Sequence, residues 1–316
     1  METGRRIKIE QNKPIQIERL RAQRRLYDEA RKKKNRRICG AYASTIVITL
    51  ISHLNFNNPA LIWIAPFSIL LFEKLYHYFR ERKLQHIAAH IQELFDTDVL
   101  CLEWPQYEIK ARPTAEMVRF WADKYDEEAY QGKPPENWYE GNFESIPLPW
   151  ARLVCQKANL SYDENLRRAY QNIIIKYTVP TGVFFAAFAY FMPPQTLPWF
   201  SAFLASVSPF FLIAGKEWWD NQKAIDAIKA IKANIDNNWS DFLEKEVETT
   251  ELKKAARNWQ TNILGHRKSS PLAPSSLFKK LREVEEGVMS RSTDALAQDV
   301  QHALEKRALR NKQASF

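Results

Sequence analysis

The sequence predicts an all-α membrane protein with four transmembrane helices in two hairpins, whose helical extensions form a cytoplasmic stalk and a small cap domain. The first observation is charge placement, because no Asp, Glu, Lys or Arg occurs in 38–72 or in 177–215. Uncharged runs of that length are typical of membrane segments rather than of soluble core helices. The second is a turn composition in the middle of each run, Asn-Phe-Asn-Asn-Pro in 55–59 and Pro-Pro-Gln-Thr-Leu-Pro in 193–198.

The N-terminal segment, 1–37, is predicted to be a basic amphipathic helix. It carries 14 Lys and Arg against 5 Asp and Glu. This excess of positive charge equals the net charge of the whole chain, which is +9. Basic residues flank the cytoplasmic side of membrane segments. We therefore interpret the basic balance as a mark of orientation and of contact with membrane lipid, and we expect no nucleic acid polymer as partner.

The two hairpins are expected at 38–79 and 173–215, with spans at about 38–54, 60–79, 173–191 and 198–215. Neither hairpin turn contains Lys or Arg, whereas the inner flanks are rich in both. Both turns are therefore predicted to face outward, which makes the protein multi-pass with both termini cytoplasmic.

The cytoplasmic part is predicted as three regions: a helical and cap domain at 80–172, a helix at 216–264, and a linker followed by a charged helix at 265–316. Apolar residues recur three or four positions apart after the second span and again from Ile228 to Phe242. Such stripes pack against each other or against a neighbouring subunit. Ser161 and Glu164 have capping-box spacing and predict the start of the helix that enters the third span.

Ligand-binding candidates are basic residues near aromatic ones in the cytoplasmic region. Guanidinium groups pair with phosphate, and aromatic rings stack on bases. The candidates are Lys157, Arg167, Arg168, Trp138 and Tyr139. The alternative is that the cations form salt bridges and the aromatic residues belong to the core.

The first span has the most polar stripe of the four, formed by Thr45, Thr49 and Ser52, with Ala41 on the same face. These hydroxyls either line a pore or bond to their own backbone. Small residues on the later spans, such as Gly182 and Ala202, allow close helix contact. We therefore predict a homo-oligomer, with Ile228, Ile231 and Ile235 as a second contact surface.

The sequence shows no clear catalytic site. His86, His90 and Glu93 share a helical face, but a solvated face explains them better than a metal does. Cys155 is interpreted as a buried thiol, and we expect no disulfide. The uncharged runs 38–72 and 177–215 carry no Asp, Glu, Lys or Arg, whereas intramembrane active sites usually need ionisable groups. We therefore expect no catalytic residues, no metal, no cofactor and no enzyme activity.

The order of several sequence blocks resembles the SMODS-associated four-transmembrane effector family over about 15–290. The blocks are Glu-Arg-Leu-Arg-Ala-Gln-Arg-Arg-Leu-Tyr at 18–27, Phe-Asp-Thr-Asp-Val-Leu at 95–100 with Trp104, Asn-Trp-Tyr at 137–139, Cys-Gln-Lys-Ala-Asn at 155–159 with Asp163, Leu166 and Arg167, and Gln260, Ile263 and Arg267. Two residues depart from the family pattern: Lys157 where Arg is expected, and Tyr162 where Trp is expected.

The resemblance implies an effector of CBASS-type anti-phage defence in the bacterial inner membrane. A nucleotidyltransferase would make a cyclic nucleotide messenger, and this protein would oligomerise, permeabilise the membrane and cause cell death in response. A cyclic oligonucleotide is thus the implied ligand. The alternative is a membrane-anchored scaffold or partner-binding helical protein without pore activity. A neighbouring nucleotidyltransferase gene would distinguish the two.

Overall fold

Eight α-helices and no β-strand make up the described part of the chain, which in this computed structural model covers residues 2–53, 59–127, 135–191 and 197–314. The prediction of an all-helical fold is therefore confirmed. The helices are α1 (Arg5–Gln11), α2 (Pro14–His53), α3 (Pro59–Val99), α4 (Ala115–Ala122), α5 (Leu148–Phe191), α6 (Leu197–Glu244), α7 (Thr249–Ser269) and α8 (Ser275–Ala314). Backbone alone is described for 41–42, 44–53, 59–70, 72–78, 189, 197–207, 209, 275–276, 278–286 and 288–289.

Four of the five longest helices, α2, α3, α5 and α6, each have a proline at the first or second helical position. Proline suits a helix start because it lacks the N–H that would have no partner there. Pro14 explains why the N-terminal segment is two helices rather than one, since α1 ends at Gln11 and α2 then runs unbroken past residue 37, where we placed a boundary.

Helix pairing follows the predicted hairpins, with α2 along α3 and α5 along α6. A Cβ added at Gly182 in α5 would lie 3.5 Å from the Phe211 ring of α6, so this small residue packs the two helices of one hairpin. Among the described residues, no helix is both long and apolar enough to cross a membrane. Of the predicted turns, residues 55–58 and 192–196 lie outside the described residues, whereas Pro59 and Leu197 already begin α3 and α6.

The main core lies where α1, the start of α2, the segment before α5, and helices α3, α5, α6, α7 and α8 meet. The segment predicted as a cap contributes Phe143 and Ile146 to this core, beside Trp239 and Trp259. Gly4 allows α1 to approach closely, because a Cβ there would lie 2.0 Å from the Phe143 carbonyl oxygen. The Gly4 amide donates to the Ile146 carbonyl, which fastens the N-terminus to the core.

Two local expectations are wrong. Ser161 does not begin a helix: it lies inside α5, and its hydroxyl donates to the Lys157 carbonyl one turn earlier. The isoleucine stripe of α6 is not a subunit surface, since Ile228 and Ile235 are 0% and 1% exposed within the single chain. The helix continues through the first motif, and packing within the chain covers the isoleucine stripe.

Part of the basic flank before the first span also turns inward. Lys34 lies 2.6 Å from Glu217, and Arg37 contacts both Glu81 and Glu217. Two neighbouring basic residues, Lys32 and Arg36, stay exposed. The flank therefore serves two purposes, since buried members join α2 to α3 and α6 and exposed members remain available to solvent or lipid.

Candidate functional site

A cavity of about 190 Å³ lies inside the helical bundle, between α2, α3, α5 and α7. The segment before α5, the connection between α7 and α8, and Thr293 of α8 complete its wall. The polar and aromatic residues of the lining are Gln23, Arg24, Tyr27, Arg31, Gln85, Gln92, Asn137, Trp138, Tyr139, Glu140, Asn159, Tyr162, Asp163, Arg167, His266, Arg267, Ser270 and Thr293.

The sequence blocks that carry the family resemblance converge on this cavity. Arg24 and Tyr27 come from the first block, Trp138 and Tyr139 from the third, and Arg167 from the fourth. The second block lies directly beneath the lining, where Asp96 and Asp98 hold residues of the first and last blocks. Segments far apart in sequence thus form one site.

The α2 wall presents a row of Arg24, Tyr27 and Arg31, spaced three and four residues apart so that all three share one helical face. The Arg24 guanidinium lies 5.9 Å from the centre of the Trp138 ring, and that of Arg31 lies 5.8 Å from the Tyr27 ring. Burial raises the pKa of Tyr27 to about 12, so its hydroxyl stays protonated. The wall alternates fixed cations with aromatic faces.

Beneath the cavity, the fully buried Asp96 carboxylate is the centre of a hydrogen-bond network. It accepts from Tyr139 Oη at 2.6 Å, from Gln260 Nε2 at 2.8 Å and from Arg267 Nη1 at 2.5 Å. Burial and the Asp96 charge hold the pKa of Tyr139 well above its usual range. Burial opposes the charge of Arg267, but Asp96 outweighs it and raises the pKa of that guanidinium. The network is satisfied and fixes one end of the cavity.

A second polar cluster of the cavity lining joins α5 to α7. His266 Nε2 lies 2.8 Å from Asp163 Oδ2, 3.1 Å from Arg167 Nε and 2.9 Å from Ser270 Oγ. Burial alone would raise the pKa of Asp163, but Arg167 and the hydrogen bond from His266 lower it well below its usual range. Asp163 is therefore a carboxylate at neutral pH.

This Ser, His and Asp grouping does not have the geometry of a nucleophilic triad. In a triad the serine and the carboxylate use different nitrogens of the imidazole ring. Here Ser270 and Asp163 both face Nε2 of His266, and Arg167 faces it too. The arrangement holds an arginine in place and relays no proton to Ser270.

Residues 270–273, which we call the strap, lie in the connection between α7 and α8 and form one side of the cavity. Charged and amide side chains hold its four successive carbonyls. Gln85 donates to Ser270 at 2.6 Å and Arg167 to Pro271 at 3.2 Å. Lys34 donates to Leu272 at 2.8 Å and Arg31 to Ala273 at 3.0 Å. The strap thus binds to α2, α3 and α5 through its backbone.

The structure brings three of the five predicted ligand-binding residues together. Trp138, Tyr139 and Arg167 line the cavity, whereas Lys157 and Arg168 do not. Lys157 pairs with Asp236 of α6, and its ammonium lies 5.2 Å from the centre of the Trp239 ring. Arg168 pairs with Glu164 on the half-exposed outer face of α5. Successive helical positions point in different directions, which separates Arg168 from Arg167.

The remaining cavity cations, Arg24, Arg31 and Arg267, were not among the predicted site residues. The three-and-four spacing of Arg24, Tyr27 and Arg31 was a readable signal, but it lay within a basic segment that we interpreted as a membrane flank. Nothing local in the sequence distinguishes Arg267 from its neighbour Lys268, since its role depends on the distant Asp96.

The thiols and histidines considered as reactive groups lie elsewhere. Cys155 is buried, and burial raises the pKa of its thiol far above the usual range, which leaves it unreactive. All three cysteines are free. Both carboxylate oxygens of Glu93 already accept hydrogen bonds, from Arg257 and Gln260, so they are occupied by these donors rather than by a metal ion. Within the described part of the chain, no group of three His, Cys, Asp or Glu could hold a metal ion.

The predicted pore-lining residues Thr45, Thr49 and Ser52 lie in the last third of α2, where the backbone alone is described. Their side chains are therefore outside the described part of the structure, and the pore lining stays a prediction.

The cavity has the chemistry of a site for an anionic, planar ligand. Four arginines line it, and one guanidinium group can donate two parallel hydrogen bonds to a phosphate group. Four aromatic residues, Tyr27, Trp138, Tyr139 and Tyr162, provide faces on which a nucleobase stacks. Amides of Gln and Asn supply donors and acceptors for a base edge.

Comparison with protein families identifies the chain. The family model described as the SMODS-associating 4TM effector domain matches residues 5–296. The chain therefore belongs to this family, as its sequence blocks predicted. Proteins with this domain are not known as enzymes. Searches of curated proteins and of solved structures found no significant match.

Proposed function

We propose that this SMODS-associating 4TM effector is a membrane protein that binds a cyclic nucleotide messenger in its central cavity and then permeabilises the bacterial inner membrane. Family membership implies an effector role associated with CBASS defence. The messenger would come from a nucleotidyltransferase, as the SMODS association implies. The response would be the death of an infected cell.

One observation carries the proposal: the cavity that unites the family's sequence blocks also gathers four arginines around aromatic rings. A buried guanidinium group is costly unless it is paired, and Arg31, Arg167 and Arg267 each meet one carboxylate. Arg31 and Arg167 direct further donors at backbone carbonyls, and Arg24 and Arg31 also lie against aromatic rings. Phosphate groups are strong acceptors for such donors, and cyclic nucleotides offer phosphates and bases together.

The membrane part of the proposal rests on charge placement and on exposed apolar side chains. The uncharged residues 177–215 include an α5 segment with large side chains facing outward, among them Phe184 at 64% and Phe191 at 81% exposure. Exposed apolar surface of this kind indicates contact with lipid or with another protein. We place four spans in the membrane, with both termini in the cytoplasm and the cavity on the same side.

We also propose that permeabilisation needs a homo-oligomer. The runs 38–72 and 177–215 carry no charge, so several copies of the hydroxyl stripe Thr45, Thr49 and Ser52 would be needed to enclose water. Replacing Thr45 and Thr49 together by Val should lower leakage while oligomer size and ligand affinity stay unchanged. Undiminished leakage would show that the membrane is breached by another route.

The direct test uses the full chain in liposomes loaded with a fluorescent dye. A panel of cyclic di- and trinucleotides is titrated, with calorimetry for affinity and dye release for permeabilisation. We expect at least one member to bind and to release dye, and the linear form of the same nucleotide serves as control.

Binding without dye release would favour the scaffold alternative over the pore. Dye release that does not depend on any nucleotide would remove the messenger from the proposal. A cysteine placed at Gln131 should resist an outside label in intact cells, and labelling there would overturn the topology.

A further inference from the structure

The strap, residues 270–273, contacts the cavity wall through its four backbone carbonyls and through buried side chains. Arg31 and Arg167, two arginines of the lining, donate to the carbonyls of Ala273 and Pro271, and each also pairs with an aspartate of its own helix. A peptide carbonyl is neutral, whereas a phosphodiester oxygen carries charge and forms a stronger, shorter hydrogen bond to guanidinium. A phosphate that entered the cavity would therefore compete with the strap for the same two donors.

Two further polar atoms indicate that the cavity is built for a polar occupant. Gln23 Oε1 and His266 Nδ1 belong to lining residues that are 2% and 5% exposed. Neither atom has a hydrogen-bond partner among the described residues. A buried polar atom without a partner is destabilising, and a hydrogen bond from a ligand would remove that penalty.

We infer that the strap occupies the phosphate position of the cavity in the free protein, so that it is an internal competitor which the messenger displaces. The inference rests on the proposed function and adds residues and regulation to it. Arg31 and Arg167 are assigned as the phosphate-binding pair. The carbonyls of Pro271 and Ala273 stand where phosphodiester oxygens would bind.

Displacement of the strap would also break a contact near the predicted membrane surface, the hydrogen bond from Lys34 to the strap. The Lys34 ammonium has three acceptors: the Leu272 carbonyl at 2.8 Å, Glu217 at 2.6 Å and the Tyr170 hydroxyl at 3.4 Å. Lys34 lies on α2 four residues before the uncharged run, and Glu217 lies on α6 two residues after the second one. If the Leu272 contact were lost, the Lys34 ammonium would keep only two of its three acceptors. One of the two is Glu217, and this pair joins α2 to α6.

The test loosens the strap without touching the cavity. Arg82 of α3 is not a lining residue, and it donates to the carbonyls of Lys268 and Ser269 immediately before the strap. Arg82→Gln should therefore weaken the strap's attachment. Lys83→Gln is the matched control, because Lys83 is exposed on the same turn.

Full-length wild type and both variants are measured in detergent with the panel of cyclic di- and trinucleotides and with inorganic pyrophosphate. Calorimetry gives affinity, and hydrogen exchange follows the amides of 270–273. We expect a binding nucleotide to accelerate exchange in the strap. We expect Arg82→Gln to bind that nucleotide about tenfold more tightly, the equivalent of one charge-assisted hydrogen bond, and Lys83→Gln to bind like wild type.

The outcomes separate the two proposals. Binding that slows exchange in the strap, or that is no tighter in Arg82→Gln, overturns the competition and leaves the messenger site in place. Failure of every panel member to bind both wild type and Arg82→Gln removes the proposed function and the inference together. Binding to Arg82→Gln alone supports the competition, because it shows that the strap blocks the wild-type cavity.

Discussion

Two polar clusters of the cavity lining hold their arginines against different sets of acceptors. In the first, the carboxylate end, Arg267 is bound to the buried carboxylate of Asp96, which also accepts from Tyr139 and Gln260. In the second, the strap end, Arg31 and Arg167 each donate both to a neutral strap carbonyl and to an aspartate of their own helix. A hydrogen bond to a buried carboxylate is costly to break, whereas one to a neutral carbonyl is more easily exchanged. We therefore expect the first cluster to stabilise the fold and the second to exchange its carbonyl contacts for those of the proposed ligand.

The largest expected effect is on the carboxylate end. Asp96→Asn removes the buried charge that balances Arg267, and we expect a loss of about 3–5 kcal/mol in the free energy of unfolding. Asp98→Asn is the control, since Asp98 pairs with Arg19 while its side chain is 39% exposed, and it should cost about 1 kcal/mol or less. Denaturant titration of both variants decides the matter, and equal losses would contradict a structural role particular to Asp96.

At the strap end, Arg167→Ala should reduce nucleotide affinity by about 10- to 150-fold, the equivalent of 1.5–3 kcal/mol for a charge-assisted pair. Arg168→Ala is the matched control, because Arg168 is adjacent in sequence but pairs with Glu164 outside the cavity. Calorimetry should show an affinity within about twofold of wild type for that control. Unchanged affinity in Arg167→Ala would place the ligand elsewhere.

The hydroxyl of Tyr139 offers a smaller test of the carboxylate end. Tyr139→Phe keeps the ring but removes a donor to Asp96, and we expect a loss of stability of about 1–2 kcal/mol. Tyr27→Phe removes a neutral bond to Gln92 at 3.3 Å and should cost less, about 0.5–1 kcal/mol. The reverse order in chemical unfolding would mean that the Asp96 network is not the stabilising one.

The smallest expected effect is a pH dependence near the start of the strap. Burial, Lys268 and His86 lower the pKa of His90 to about 4, from an ordinary value near 6.5. Between about pH 6.5 and 4 the unfolded chain therefore binds a proton that the folded chain does not, so stability falls as pH falls.

Below about pH 4 this group causes no further loss of stability. His90→Gln should flatten the profile in that window, and thermal unfolding should show a change of a few degrees, at about 2–4 °C per kcal/mol. A wild-type profile that the substitution leaves unaltered would show that other groups set the pH dependence.

Sequence reasoning found the helices of this protein more easily than the contacts between them. Uncharged runs and turn prolines placed the four long helices, because helix content follows from local pattern and composition. The capping-box interpretation of Ser161 was wrong because the same helix, α5, continues on both sides of this residue, so no helix starts there. Tertiary packing overrides such short signals.

Sequence reasoning also identified only part of the cavity lining, because tertiary packing decides which side chains meet. Arg167, Trp138 and Tyr139 were chosen for their chemistry and do line the cavity, while Lys157 and Arg168 were chosen on equal grounds and do not. Side-chain direction on α5 separates them, and the partner of each cation lies on another helix. No local signal predicts that Asp236 faces Lys157 or that Asp96 faces Arg267.

By itself the sequence determined the all-helical class, the family, and the types of residue available for a nucleotide site. These follow from composition, periodicity and the order of short blocks, which are properties of neighbouring residues. Only the tertiary structure decided which arginines share a cavity, which carboxylate fixes one of them, and that the strap lies across two others. The reason is that pairing energies depend on distances between residues that are far apart in the chain, from 104 positions for Arg167 and Pro271 to 242 for Arg31 and Ala273, and folding alone sets those distances.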